Sequence, residues 1–505
     1  MKKALVCLLL AATFLSGCLA DKEAVSNENS SIVYEIFPSS FYDSDGNGVG
    51  DLNGITSKLD YVQSLGAGAI WLTPYTDGAS YHLYDVTDYL NVDPLLGTME
   101  DFEKMEAEAQ KRSIDIYMDL VINHTSSQHP WFIEAKKNVV NGTCDQEGSK
   151  CDWYKFSKEP GTGYSALGGG WYYEALFWSE MPDLNLENPE VRAEIQKAVE
   201  FWMDKGVDGF RLDAVLHYCG SNASANKEVL QWLTNIIHAK NPEAFVVGEV
   251  WADQGTIMNH YGSGMTSFFN FPASNSDGRI VNNIRKQSGA VLASWLADHN
   301  AKIEEVDENA IDSVFLSNHD QGRSGAFFGN DISKTQLMVS TLMFAPGKVF
   351  LYYGEEIGML GSGIDQNKRL GMLWQSDSKE GIPYNPSGAD YTAQRDTSVA
   401  NQEKDKTSLL NFYRLAASIR NKSTLYELGS AEAVDTGNDA IYMMKFSDDA
   451  SALYVIHNYS DIEQTVQVDG QIHSVDHLQS NALKDGVLTM LPFSTSIVYL
   501  EGTTQ

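Results

Sequence analysis

Positive charge is scarce in this chain. Its 505 residues hold 36 Lys plus Arg against 68 Asp plus Glu, a formal charge of −32. Nucleic-acid binding needs a basic footprint to neutralise phosphates, so no nucleic-acid partner is expected. The acidity bears on solubility and salt tolerance, not on fold. Cysteine is scarcer still, with five in all. Cys144 and Cys151 lie close together without a second Cys/His pair, which rules against a zinc site. Internal repeats and low-complexity tracts are missing, which excludes a solenoid. An apolar run long enough to anchor stably across a bilayer is also missing, since Ala4 to Leu15 falls short of a membrane span.

That short run has a use of its own. It follows Lys2 and Lys3, so it has the form of a secretion leader. The next residues, Leu15-Ser16-Gly17-Cys18, resemble a bacterial lipobox, in which the Cys carries lipid and becomes the first residue after cleavage; a chance cysteine is the plainer alternative. The expected division is a leader over 1–17 and a polar tether over 18–30, with export to the cell envelope and a membrane anchor through Cys18. Export permits disulfides. Cys144 and Cys151 sit in a Gly- and Asp-rich insert that admits a local bridge, which would leave Cys219 free. The length exceeds one small domain. With 43% hydrophobic and 11% aromatic residues, a large core is affordable.

The chain is organised around Gly209-Phe210-Arg211-Leu212-Asp213, where apolar residues lead to a charged tip. Ile116 to His124, Phe245 to Glu249 and Val314 to Asp320 have the same form. Laid side by side as parallel strands, these four would deliver Asp213, Glu249, Asp320, Arg211, His124 and His319 to one mouth, the carboxyl end where barrel enzymes place their chemistry. Strand and helix patterns alternate along most of the chain and predict a closed (β/α)8 barrel. Predicted helices cover Ile55 to Leu65, Met99 to Lys111, Pro189 to Lys205, Lys227 to His238, Arg279 to Leu296, Thr335 to Phe344 and Ser408 to Arg420. Between Thr125 and Asn185 the helix and strand signals stop, which marks a functional loop or a small inserted domain. From about Ser430, short strands parted by Asp, Gly and Asn predict an antiparallel sandwich. The barrel is therefore expected over 31–124 and 186–425, the insert over 125–185 and the sandwich over 426–505.

Asp43, Asp45, Asn47 and Asp51 place side-chain oxygens at every second residue with glycines between. This is the spacing of a calcium loop without its closing Glu, and Val49 could add a carbonyl. A plain Asx/Gly turn is the alternative.

The segments Asp119 to His124, Gly209 to His217, Glu249-Val250-Trp251 and Phe315 to Asp320 together resemble glycoside hydrolase family 13, the α-amylase family, over nearly all of residues 31–503. Met181-Pro182-Asp183-Leu184-Asn185 resembles the signature of a group intermediate between oligo-1,6-glucosidases and neopullulanases. The resemblance implies a barrel, a domain B after its third strand and a C-terminal sandwich. It also implies endo-cleavage of α-1,4 bonds of starch or maltodextrin with retention. Asp213 would be the nucleophile, Glu249 the general acid/base and Asp320 a third carboxylate gripping sugar hydroxyls. Such a mechanism needs one ionised and one protonated carboxyl. Arg211, two residues before Asp213 on the same strand face, is expected to keep Asp213 ionised. His82, Tyr84, His124, His217, His319 and Arg369 would bind substrate. The family's interdomain calcium would use Asn123, Asp183 and the carbonyl of His217.

Three departures stand out against related enzymes. Leu216 replaces a frequent Lys. Leu83 stands where Gly is usual and is expected to narrow the cleft. Ala214, where oligo-1,6-glucosidases usually carry Val, leans towards α-1,4 bonds. A monomer is expected. An exo-acting α-glucosidase or a 4-α-glucanotransferase would use the same three carboxylates. A non-catalytic starch-binding lipoprotein would have no need of them.

Overall fold

Eight short parallel strands close on themselves in chain order. They are β1 (Ile32–Ile36), β2 (Ala69–Leu72), β3 (Asp115–Leu120), β4 (Gly209–Leu212), β5 (Phe245–Gly248), β6 (Ser267–Phe269), β7 (Ile311–Phe315) and β8 (Lys348–Tyr352), with β8 paired back to β1. The computed structural model describes residues 30–220, 222–395 and 398–501. The leader and Cys18 lie outside the described residues. Among the described residues no helix is long and apolar enough to cross a membrane.

The period of two along each strand separates two surfaces. Val33, Trp71, Tyr117, Phe245, Val247, Phe269, Phe315 and Phe350 form one apolar cluster inside the barrel. The alternate residues, among them Ile70, Ile116, Phe210, Val246 and Val314, belong to a larger cluster shared with the surrounding helices. Continuing the inward parity towards the carboxyl ends gives Glu35, Asp119, Arg211, Asp213 and Glu249. The same alternation that packs the lower barrel thus aims charged groups into its mouth. Gly209 is required at the start of β4, because a Cβ there would lie 2.4 Å from the Phe245 carbonyl and 2.7 Å from the Tyr117 ring.

Several elements differ from expectation. Strand β6 has no counterpart among the predicted strands. It spans three residues, too few for alternation to show. The helix expected over Arg279 to Leu296 is two helices, Arg279–Lys286 and Gly289–Val306, parted at Gln287, whose φ of 55° cannot continue a helix. The Ile55 to Leu65 helix is likewise two short ones, Leu52–Ser57 and Leu59–Ser64.

The insert between β3 and β4 is not structureless. It holds a helix, Pro130–Asn141, with Pro at its first turn, His129 accepting from the Trp131 amide and Gly142 closing it at φ 68°. It also holds a three-stranded antiparallel sheet built from Phe156–Ser157, Tyr164–Gly168 and Trp171–Glu174. Cys144 and Cys151 form a disulfide, and Cys219 is free and buried. The insert returns to the barrel through a bridge between His124 and Asp183, and the Leu184 amide donates to the Asn123 carbonyl.

The C-terminal region pairs a five-stranded and a three-stranded antiparallel sheet. Ile441, Met443, Ile456, Val466, Leu488 and Val498 fill the space between them. The opposite face, with Tyr442, Met444 and Phe446, packs into the barrel's outer core. Gly289 makes that contact close, since a Cβ there would stand 2.4 Å from the Tyr442 amide.

Candidate active site

Asp119 on β3 and Arg211 on β4 are register partners, so adjacent strands bring an acid and a base together inside the barrel. Arg211 is only 1% exposed. One of its terminal nitrogens donates to Asp119 Oδ1 at 2.9 Å and to Asp213 Oδ1 at 2.7 Å. The other lies 3.0 Å from Glu249 Oε1. A single guanidinium therefore joins three buried carboxylates, a task its planar fork suits. Sequence adjacency suggested that Arg211 serves Asp213 alone; β5 lies beside β4 in the barrel, and Glu249 at its end shares the cation.

Backbone geometry sets the turn between the two. Ala214 has φ 52°, and its amide donates to Glu249 Oε2 at 3.0 Å. Burial pushes both Glu249 and Asp213 above the ordinary carboxyl values, with Arg211 opposing in each case. The charges of Asp213 and Asp320 push Glu249 further up. The expectation that Arg211 simply fixes Asp213 in its ionised form is thus offset by burial. The contrast that survives is one of hydrogen bonds. Asp213 accepts the short bond from Arg211, whereas Glu249 meets the longer one and the Ala214 amide.

Asp119 was not singled out from sequence. Burial pushes it up to about 7. Its oxygens nevertheless accept from Arg211, from Trp71 Nε1 at 3.2 Å and from the Tyr84 hydroxyl at 2.9 Å. Three donors and no acceptor favour the charged form, so we assign Asp119 as ionised at neutral pH. The signal was present in sequence: a charged residue at inward parity on a buried strand must find a partner.

The opposite wall is held by β7's end. His319 Nδ1 donates to Glu35 at 2.7 Å, and its Nε2 lies 2.6 Å from the Tyr84 oxygen and 3.0 Å from Asp320 Oδ2. The Tyr84 ring stacks on His319 at 8°. Burial lowers the His319 pKa, but Asp320 and Glu35 outweigh it and raise the group to about 9. Asp320, which burial alone would raise, is held well below the usual carboxylate range by His319 and Arg369. Arg369 donates to Asp320 Oδ1 at 2.7 Å and to the Tyr81 hydroxyl at 2.9 Å.

Tyr84, Asp213, Glu249, Asp320 and Arg369 line a cavity of about 600 Å³ together with His82, His124, His217, Leu216 and Trp251. Burial pushes His82 and His124 down to about 4, which leaves both neutral at neutral pH. His124 Nε2 is buried without a partner, a polar atom open to a ligand hydroxyl. Phe177 and Trp178 of the insert add a wall, with Phe177 edge-on to His217 at 5.2 Å. Leu83 does not narrow this cavity. It adopts φ 60° and turns its side chain into a neighbouring pocket against Gly78, which explains why glycine suits the position.

His319 also predicts a pH effect. Its folded pKa lies above the ordinary value, so its stabilisation is present below about 6.5 and is lost as pH rises through about 9. The loss should be on the order of 3 kcal/mol. Thermal unfolding between pH 6 and 10 should show this decline, and His319→Asn should flatten it; an equally steep variant profile would assign the decline to other groups.

Two groups of oxygens fit a metal to different degrees. One oxygen from each of Asp43, Asp45 and Asp51 lies within 4.8 Å of the others. Oxygens that share a calcium at about 2.3–2.6 Å fall within such a span. Asn123 and Asp183 touch at 3.2 Å, and Asn123 Oδ1 is buried without a partner. The His217 carbonyl accepts from the Gly220 amide at 3.1 Å.

Known proteins bear on this geometry. A model of the α-amylase catalytic domain matches residues 35–429. The chain is 37% identical to Alpha-amylase 3 of Dictyoglomus thermophilum, over 99% of this chain and 98% of that one. It is 29% identical to an oligo-1,6-glucosidase of Parageobacillus thermoglucosidasius, over 85% and 90%. The solved structure of Eubacterium rectale Amy13B superposes with a TM-score of 0.90 at 37% identity, over 94% of this chain and 96% of that one. Strand order, the carboxylates at one mouth and these likenesses agree: the chain belongs to the α-amylase family, glycoside hydrolase family 13.

Proposed function

We propose that this glycoside hydrolase is an α-amylase, cleaving internal α-1,4-glucosidic bonds of starch or maltodextrin with retention. The observation that carries the reading is Arg211 joining Asp213 and Glu249 at the mouth, with Asp320 facing them across one cavity. In this reading Asp213 attacks the anomeric carbon while Glu249 gives its proton to the departing oxygen. Glu249 then takes a proton from the water that releases the sugar from Asp213. Asp320, held ionised, grips sugar hydroxyls. Ala214, small and next to Asp213, supports α-1,4 specificity.

Chromatography of products from amylose, maltotriose and pullulan tests the reading. Mixed maltodextrins early in amylose digestion are expected. Glucose alone would indicate exo action, products longer than the substrate would indicate glucanotransfer, and inert amylose would overturn the reading.

The Asp43–Asp51 loop is proposed to hold a structural calcium through Asp43, Asp45, Asn47, the Val49 carbonyl and Asp51. Asn123, Asp183 and the His217 carbonyl are proposed as a second site. Calcium at a hundred times its Kd should stabilise the fold by about 2.7 kcal/mol. EDTA should lower the Tm, calcium should restore it, and Asp45→Asn should weaken calcium binding measured by titration calorimetry. A Tm indifferent to EDTA and calcium would count against both sites. Lipid anchoring at Cys18 is proposed from the lipobox; a Cys18→Ala protein that still fractionates with membranes would remove that proposal.

A further inference from the structure

Glu35 lies near the carboxyl end of β1, is 1% exposed and is not among the residues that line the catalytic cavity. Its Oε1 meets one residue twice, the His319 amide at 3.2 Å and His319 Nδ1 at 2.7 Å. A backbone amide can only donate, so this oxygen accepts. Burial raises Glu35 above the ordinary carboxyl value, and His319 opposes the rise. Among the described residues, the ion pair of Glu35 is with His319. A buried carboxylate needs such a partner to stay charged.

The other ring nitrogen, Nε2, sits 2.6 Å from the Tyr84 oxygen and 3.0 Å from Asp320 Oδ2. The Tyr84 hydroxyl has one proton and donates it to Asp119 Oδ2 at 2.9 Å. Only one placement of protons satisfies every contact. With a proton on Nε2 alone, a bare Nδ1 would face Glu35 Oε1. With a proton on Nδ1 alone, a bare Nε2 would face Asp320, and Tyr84 would have to turn its proton away from Asp119. With both nitrogens protonated, Nδ1 donates to Glu35, Nε2 donates to Tyr84 and Asp320, and Tyr84 still serves Asp119. The remaining charged groups around the ring divide. Asp119 and Asp213 favour the cation. Arg211, 5.2 Å over the Trp71 ring that meets His319 edge-on, and Arg369, whose Nε donates to the His319 carbonyl at 3.1 Å, oppose it.

We propose that Glu35 is a positioning residue for the glycosidic reaction: its buried carboxylate keeps His319 a double donor, so that one ring aims Asp320 and fixes the Tyr84 hydroxyl on Asp119. The role rests on the α-1,4 reading above, in which Asp320 grips the sugar. Asp320 is then held on both oxygens, by His319 on Oδ2 and by Arg369 on Oδ1. The Tyr84 ring, which lines the cavity, is stacked on the same imidazole. Through Asp119 the order reaches Arg211 and so Asp213. When His319 gives one proton to solvent at high pH, the ring keeps the one facing Glu35. Tyr84 then turns its proton to Nε2, Asp119 loses a donor and Asp320 loses one of its two holds. Glu35 thereby sets the pH at which this order fails. Glu35→Gln keeps the shape and an accepting oxygen but removes the charge, so the neutral ring forms at lower pH.

The test follows histidine ring nitrogens by nitrogen-15 NMR, and kcat/KM on maltohexaose, across pH. It uses the unmodified enzyme, Glu35→Gln, His319→Asn and the double variant; His319→Asn assigns the signal. Both ring nitrogens of His319 should carry protons at pH 7 in the unmodified enzyme. In Glu35→Gln the midpoint of that signal and the alkaline limb of kcat/KM should move down together by about one pH unit, the tenfold expected for a hydrogen bond to a charged group. Adding Glu35→Gln to His319→Asn should leave the pH profile where His319→Asn alone puts it. A neutral His319 at pH 7 in the unmodified enzyme would overturn the role with no variant needed. So would an unmoved midpoint in Glu35→Gln, or a loss of activity equal at every pH, the result of a merely structural contact. If the unmodified enzyme leaves maltohexaose intact, the α-1,4 reading falls and the positioning role falls with it. Cleavage with an unmoved midpoint overturns the positioning role alone.

Discussion

Asp213→Asn should reduce starch hydrolysis by about 10⁴–10⁶-fold, the range seen when a nucleophile is removed from a catalytic group that acts as a unit. The side chain keeps its shape, so folding should survive. It loses the charge that, in the proposed mechanism, attacks carbon. Arg211 remains paired with Asp119 and Glu249, which limits structural damage. Glu249 loses a neighbouring negative charge that raises its pKa, so its proton is also held less firmly. Reducing-sugar release from soluble starch measures the loss. A complementary variant, Asp213→Gly with azide, should form a glycosyl azide of inverted configuration, because the small anion occupies the nucleophile's place on the same sugar face. Activity within tenfold of the parent enzyme would remove Asp213 from the nucleophile's role.

Arg211→Gln should be the most damaging single change to the fold of the site. Removing one partner from a buried ion cluster costs about 3–5 kcal/mol, because the remaining charges stay buried without compensation. Here three carboxylates share the cation. The sign with pH follows. Asp213 and Glu249 already titrate above their ordinary values, and loss of Arg211 raises them further. Groups with raised folded pKa values favour the fold at low pH and lose that contribution as pH rises. The variant's deficit in thermal unfolding should therefore grow between pH 5 and 8, and the acid limb of its kcat/KM profile should move to higher pH. Arg211→Lys should recover only part of the loss, since one ammonium cannot reproduce the fork that reaches Asp119, Asp213 and Glu249 together. A deficit that shrinks with rising pH would contradict the proposed sharing.

The four strands that end in charged residues were legible because alternation is local: a residue two places from Arg211 or Val247 faces the same way in any strand. Their register was not legible. Asp119 meets Arg211 only because β3 and β4 pair at that register, and Glu249 reaches the same guanidinium only because β5 is β4's other neighbour. Glu35 lies far from His319 in the chain and meets it only when β8 closes the barrel onto β1. The helix Pro130–Asn141 carried a proline start and a glycine stop, signals that the Gly- and Trp-rich surroundings obscured. Strand β6 carried too few residues for any pattern to show.

Leu83 gives the clearest contrast. Its place between His82 and Tyr84 made it a candidate to narrow the cleft, but a positive φ turns it away, and backbone sign cannot be read from a leucine. By itself, then, the amino-acid order determined the barrel, the inserted and C-terminal regions and the roster of charged tips, because hydrophobic period and motif spacing act over a few residues. The tertiary structure alone decided which carboxylates share Arg211 and which histidines are neutral. Those depend on closure, on register between neighbouring strands and on burial, which arise only when distant segments meet.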